Sequence, residues 1–144
     1  MDSGSQGRTR WDAVTDGSVT MPVNDHMGFV LEETGDPRNA VTFTWEVPEE
    51  YCNSVGNLQG GVLAAFADAV LGASSWAHMP ADRYPALAEM KISIFRPAAK
   101  GSRLTGTGRV LKAGGRVIFV EAEITDDAGR LVAKASGTEI PIPE

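Results

Sequence analysis

A single cysteine, Cys52, stands in 144 residues. One thiol excludes an internal disulfide and fits a reducing compartment, so a cytoplasmic location is expected. Cys52 itself reads as a small buried filler. Only two histidines occur, His26 and His78, far apart, and there is no C-x-x-C. No set of residues has metal-ligand spacing, and no metal is expected. A G-x-S-x-G elbow is also missing, which argues against a Ser-His-Asp hydrolase. The stretch "GTGRVL" lacks a third glycine and follows no parallel strand–helix–strand unit, which argues against a dinucleotide enzyme. No run of 18 apolar residues is present, so no membrane-spanning helix is expected. The first twenty residues have no apolar core of the secretory kind. The net charge of −6 argues against non-specific nucleic-acid binding.

What remains is enough chain for one domain with a real core. Residues 1–22, polar and rich in Gly and Ser at their start, read as a flexible tail. Residues 23–144 read as the single domain. Charge is unevenly spread. From Lys91 to Arg116 there are seven basic residues and no acidic one. That stretch is either a set of solvated strand faces or a local field for an anionic ligand.

Periodicity divides the domain. Residues 23–28 form a short turn or helical segment. In "RNAVTFTWEVP", Val41, Phe43, Trp45 and Val47 alternate with Thr42, Thr44 and Glu46, which predicts a half-buried strand ending at Pro48. After a loop over 49–59, a helix is expected from about Gly60 to Ala77. Four strand-like segments follow. The first places Met90, Ile92 and Ile94 on one face. The second opposes Leu104, Gly106, Gly108 and Val110 to Arg103, Thr105, Thr107 and Arg109. The third buries Ile118, Val120, Ala122 and Ile124. "RLVAKASGTEI" closes the set. Short turns at 112–115 and 126–129 join them as antiparallel hairpins. The fold class is therefore α+β: an antiparallel sheet wrapped around one long helix. Ala and Gly keep that helix thin, and Gly106 and Gly108 offer it room on a facing strand.

One carboxylate interrupts the helix. Gly61, Ala64, Ala65, Asp68, Gly72 and Ser75 share a face at helical spacing. Asp68 thus lies among very small side chains, which leave room for another backbone or a ligand. At the helix start, Gln59, Gly60 and Gly61 precede the first turn, where N–H groups are unpaired and the dipole is positive. Such donors can stabilise a carbonyl oxygen that becomes negative. A carboxylate can activate water or attack directly. Eight residues separate Gly60 from Asp68, about 12 Å along a helix. One carbonyl cannot touch both within one chain. A homodimer with two helices side by side and antiparallel would bring the two together.

The string Asn53, five residues, Gln59-Gly60-Gly61, six residues, Asp68 resembles the signature of hotdog-fold acyl-CoA thioesterases, and more closely their phenylacetate-pathway type. "GRVLKAGGRVIFVEAEITDDAGRLVAKASGT" is similar to that family's last three strands. The resemblance covers about residues 24 to 140. It implies Asp68 as nucleophile or general base, Gly60 with Gly61 as the oxyanion hole of the facing subunit, and Asn53 as the group orienting water or thioester. Gln59 stands where the family usually has His. Leu87 stands where it often has a Ser or Thr. The resemblance also implies cations for the phosphates of coenzyme A, here Lys112 and Arg116 at the hairpin of Gly114, with Arg96 as another candidate. No cofactor is implied, because coenzyme A is part of the substrate. The partners implied are an acyl-CoA and a second copy of the chain, with pairing of dimers into tetramers left open. Two alternatives stay open at this point: an acyl-CoA hydratase or dehydratase, and a non-catalytic acyl-CoA binder. Trp45, Phe66, Trp76 and Tyr84 are candidates to line an acyl pocket.

Overall fold

The computed structural model describes residues 7–144. The first six residues of the expected tail lie outside that range. The rest of that stretch is more ordered than its composition suggests. Helix α1 runs from Arg10 to Thr15. Thr9 accepts from the Asp12 amide while Asp12 accepts from the Thr9 amide, a reciprocal cap that satisfies two orphan donors. Arg10 and Ala13 are buried. The Arg10 guanidinium donates to the Arg83 carbonyl at 2.8 Å and to Glu144 at 3.2 Å. These long-range bonds tie residues 8–15 to the domain, so its edge does not fall at residue 23. Helix α2 follows over Pro22–Met27, and Gly28 ends it in the left-handed conformation at φ 81°.

Six strands form one antiparallel sheet: β1 (Val30–Glu32), β2 (Val41–Glu46), β3 (Arg83–Ile94), β4 (Arg103–Ala113), β5 (Ile118–Thr125) and β6 (Leu131–Pro143). Their order is β1-β2-β4-β5-β6-β3. Helix α3 spans Gly60–Ser75, and a 3₁₀ turn over Trp76–His78 completes the apolar stretch. The sheet curls around α3, which touches β2, β3, β4, β5 and β6. The stretch 60–78 is long and apolar enough by composition to cross a bilayer; here the sheet covers its apolar sides.

The expected alternations hold in β2, β4 and β5. Leu104, Ile118, Val120, Ala122 and Ile124 are buried in the core with Phe66, Val70 and Leu71 of the helix. Each large apolar side chain so buried contributes about 1.5–3 kcal/mol. The helix approaches β4 so closely that side chains there are excluded. A β carbon on Gly106 would lie 2.7 Å from Val70 Cγ2, and one on Gly108 would lie 2.9 Å from the Val70 carbonyl oxygen. In β3 the register shifts between Leu87 and Glu89. This bulge at Ala88 returns Met90 and Ile92 to the inner face, against the core. Strand β3 ends the sheet, so one side of its 12-residue backbone has no strand beside it in the chain.

Candidate functional site

The loop before α3 is built by backbone bonds that aim the helix start outward. Asn53 N–H donates to the Asn57 carbonyl at 2.7 Å, and the Asn53 Oδ1 accepts from the amides of Val55 and Asn57, both at 3.1 Å. This turn commits the Asn53 oxygen, while its amide nitrogen makes no hydrogen bond among the described residues. Gln59 N–H donates to the Tyr51 carbonyl at 3.0 Å, and Leu58 N–H to the Ala98 carbonyl at 2.8 Å. Gln59 is the N-cap residue, yet its side chain makes no capping bond. The amides of Gly60 and Gly61 therefore stand at the positive end of a 16-residue helix without an acceptor among the described residues. A β carbon on Gly61 would meet nothing within 4 Å. The chain's own packing does not demand glycine there.

Asp68 sits two helical turns further on. On the face it shares with Gly61, Ala64, Ala65 and Gly72, Gly61 and Asp68 are exposed and the rest half-buried, and the sheet closes in at Gly72, which faces Pro85 and Glu139. Asp68 is exposed at its tip. Its base is crowded enough that desolvation raises its carboxyl above the ordinary aspartate range. Beside it opens a depression of about 280 Å³, lined by Ala65, Gly72, Trp76, Tyr84, Pro85 and Asn24. Of the four aromatic candidates, Trp76 and Tyr84 line this depression. Trp45 and Phe66 instead stack with Phe29 in the core, ring centres 4.9–5.4 Å apart.

Within one chain the candidate residues form two groups. Asn53, Gln59, Gly60 and Gly61 gather at the helix start, and Arg96 stands at the same end. It follows β3, whose Ile94 would lie 3.5 Å from a Gly60 β carbon. Arg96 donates to the Leu131 carbonyl at 3.0 Å. Asp68 belongs to the other half. Lys112, Gly114 and Arg116 occupy the exposed β4–β5 hairpin, at the end of the sheet where Ile118 pairs with Glu139. Three of the seven cations in the basic stretch are held by carboxylates: Lys100 by Glu49, Arg103 by Glu32 and Arg109 by Glu121. Lys91, Lys112 and Arg116 make no ion pair among the described residues. No cluster of metal-ligating side chains occurs among those residues.

Sequence reasoning missed Glu139. It faces inward from β6 in line with Ala133, Ala135 and Gly137, and only 1% of it is exposed. Neither carboxyl oxygen has a hydrogen-bond partner among the described residues. One of them would lie 4.0 Å from a β carbon on Gly72, one turn beyond Asp68. Burial, and then the charge of Asp68, push the Glu139 carboxyl up to about 8. The signal was legible in "KASGTEI", where strand alternation puts a carboxylate on the apolar face.

The arrangement defines a class: an α+β hotdog domain whose central helix carries an acid and an amide-rich start. The family model described as the thioesterase superfamily matches residues 55–133, and the chain belongs to that family. It is thereby a thioester hydrolase. Acyl-coenzyme A thioesterase 13 from Homo sapiens is 32% identical over 97 residues, 65% of this chain and 67% of that protein. The structure of a phenylacetic acid degradation-related protein from Ralstonia eutropha aligns with a TM-score of 0.82 at 26% identity, covering 91% of this chain and 98% of the other. A Streptococcus mutans protein solved with acetyl CoA shares the fold, with a TM-score of 0.71 at 22% identity over 81% of this chain and 90% of that one.

Proposed function

We propose that the chain hydrolyses acyl-CoA thioesters in sites formed between two copies of itself. The observation that carries this reading is the division of the site. An acid with a depression beside it occupies one half of α3, and free amides occupy its start, about 12 Å away. Two copies joined along the open side of β3 would bring the helices antiparallel. That edge supports such pairing: it is long, and Tyr84, Leu87 and Ile94 on it are exposed. Each thioester carbonyl would then lie between Asp68 of one copy and the Gly60 and Gly61 amides of the other.

In this site Asp68 acts as general base for water or as the attacking nucleophile. Its desolvation makes it a stronger base than an exposed aspartate. The glycine amides receive the negative charge that develops on the carbonyl oxygen, and their fixed orientation stabilises it without reorganisation. Asn53 orients the water or thioester through its free amide. Gln59 donates a hydrogen bond in a position where it cannot titrate. Lys112, Arg116 and Arg96 offer charge for the phosphates of coenzyme A. Bound acetyl CoA in the Streptococcus mutans protein and the name of the human relative support this choice of thioester.

The test is thiol release from a panel of acyl-CoAs followed with a thiol reagent. Asp68→Asn should lower kcat by at least about a hundredfold, the range of a lost general base. Wild-type turnover by that variant would refute the role of Asp68.

A further inference from the structure

An isolated carboxyl inside a core is expensive, and Glu139 has none of the usual compensation. It is buried, and its oxygens bond to nothing among the described residues. Its position is specific. It lies against the side-chain face of Gly72, where a β carbon would come within 4.0 Å of its carboxyl oxygen, and Gly72 itself walls the depression beside Asp68. Across the sheet it pairs with Leu87 of β3 and Ile118 of β5. Neither can hydrogen-bond through its side chain.

The charged groups around it reduce to one. On β3, Arg83 is four positions from Leu87, with Arg10 against its carbonyl. Glu89 accepts from Thr138 at 2.8 Å. On β5, Glu121 pairs with Arg109. On α3, Asp68 is the only charged residue, and its charge adds to the effect of burial on Glu139. The two carboxyls thus lie along one face of the helix, about a turn apart. Two like charges so placed do not both ionise readily.

We propose that Glu139 is a positioning residue of the hydrolytic site: its neutral carboxyl, seated against the turn that follows Asp68, keeps the site to one negative charge and leaves that charge on Asp68. The proposal rests on the Asp68 reading and deepens it. When Glu139 loses its proton, a second buried anion lies under the carbonyl about to become negative. Asp68 is already ionised at that point and gains little from further basicity. The transition state loses electrostatic stabilisation, and the anionic substrate is repelled.

The experiment follows kcat/KM of the full chain from pH 6 to 9.5 with one acyl-CoA. The wild type should fall on an alkaline limb, about tenfold per pH unit beyond its midpoint. Glu139→Gln keeps a neutral carboxyl-like group, so it should stay within about threefold of wild type at pH 7 and lose the limb. Superimposable profiles would overturn the proposal. A second measurement does not depend on that variant folding. With glutamate labelled at its carboxyl carbon, NMR titration should show one outlying glutamate in the wild type, and its midpoint should drop in Asp68→Asn. An unmoved midpoint would overturn the proposal as well. The two readings separate cleanly. Loss of turnover in Asp68→Asn with superimposable wild-type and Glu139→Gln profiles removes Glu139 alone. Wild-type turnover in Asp68→Asn removes both.

Discussion

A carboxyl that keeps its proton only in the folded chain must make stability fall as pH rises. Glu139 titrates at about 8 in the fold against an ordinary 4.5. Between those values the unfolded chain has released the proton and the folded chain still holds it. Stability then declines by about 1.4 kcal/mol per pH unit. The loss, relative to pH 4.5, reaches about 3 kcal/mol at pH 7 and about 4 kcal/mol at pH 8, and levels off over the next unit. Well below pH 4.5 both states are protonated and the group contributes no slope. Against a typical total of about 5–15 kcal/mol this is a large share. The comparison that isolates it is Glu139→Gln, which fills the same space and cannot ionise. Urea unfolding of both proteins at constant ionic strength, from pH 4.5 to 9, gives two stability curves. Their difference should grow in favour of the variant up to about pH 8 and then level off. Other titrating groups, common to both, cancel in that difference. A difference that stays flat within about 0.5 kcal/mol would mean that Glu139 is ionised or partnered in solution, and the reasoning about a buried neutral acid would fail.

Gly60→Pro deletes one oxyanion donor while suiting the fold. Proline is favoured at the first helical position, and Gln59, at φ −62° and ψ 132°, already has the conformation a residue before proline adopts. The variant should fold normally and lose about a hundredfold or more in kcat, measured by thiol release. Mixing Gly60→Pro with Asp68→Asn, after reversible dissociation, should restore activity to about a quarter of wild type, because half the dimers are mixed and each has one intact site. No recovery would place both groups in one chain. Gly108→Ala puts a methyl 2.9 Å from the Val70 carbonyl oxygen, which the helix holds in place. It should cost about 1–3 kcal/mol in urea unfolding; a neutral result would mean that α3 is free to shift away from β4.

The parts of this molecule that depend on local pattern are the parts its sequence discloses. Alternation in β2, β4 and β5 and the run of Ala and Gly in α3 specify a sheet around a thin helix. Even the close approach at Gly106 and Gly108 follows, since two alternate glycines on an inner face are hard to explain otherwise. The bulge at Ala88 does not follow, because Ala88 has no turn chemistry of its own. It restores the pairing of Met90 and Ile92 with the core, a long-range need that no residue at the bulge announces. The helix α1 escaped notice for a similar reason: six residues carry little periodic signal, and its cap and the Arg10 bonds to Arg83 and Glu144 join distant segments.

The candidate site was half legible, and the division has a physical basis. Asp68 and the Gly60–Gly61 amides are set by spacing along one helix, so a reader of the chain can find them. Glu139 is 71 positions from Asp68, and its relation to the site exists only because β6 brings it against Gly72. A glutamate on an inner strand face is visible as an anomaly, but its neighbour is a product of topology. The same small side chains govern both halves. Gly61 and Ala64 keep the outer face of α3 low enough for a second helix start to reach Asp68. Gly72, further along the same face, leaves room for the Glu139 carboxyl beside it. Enlarging the helix anywhere along this face should therefore impair the site from one side or the other while leaving the sheet core, which is built from Phe66, Val70 and Leu71, intact.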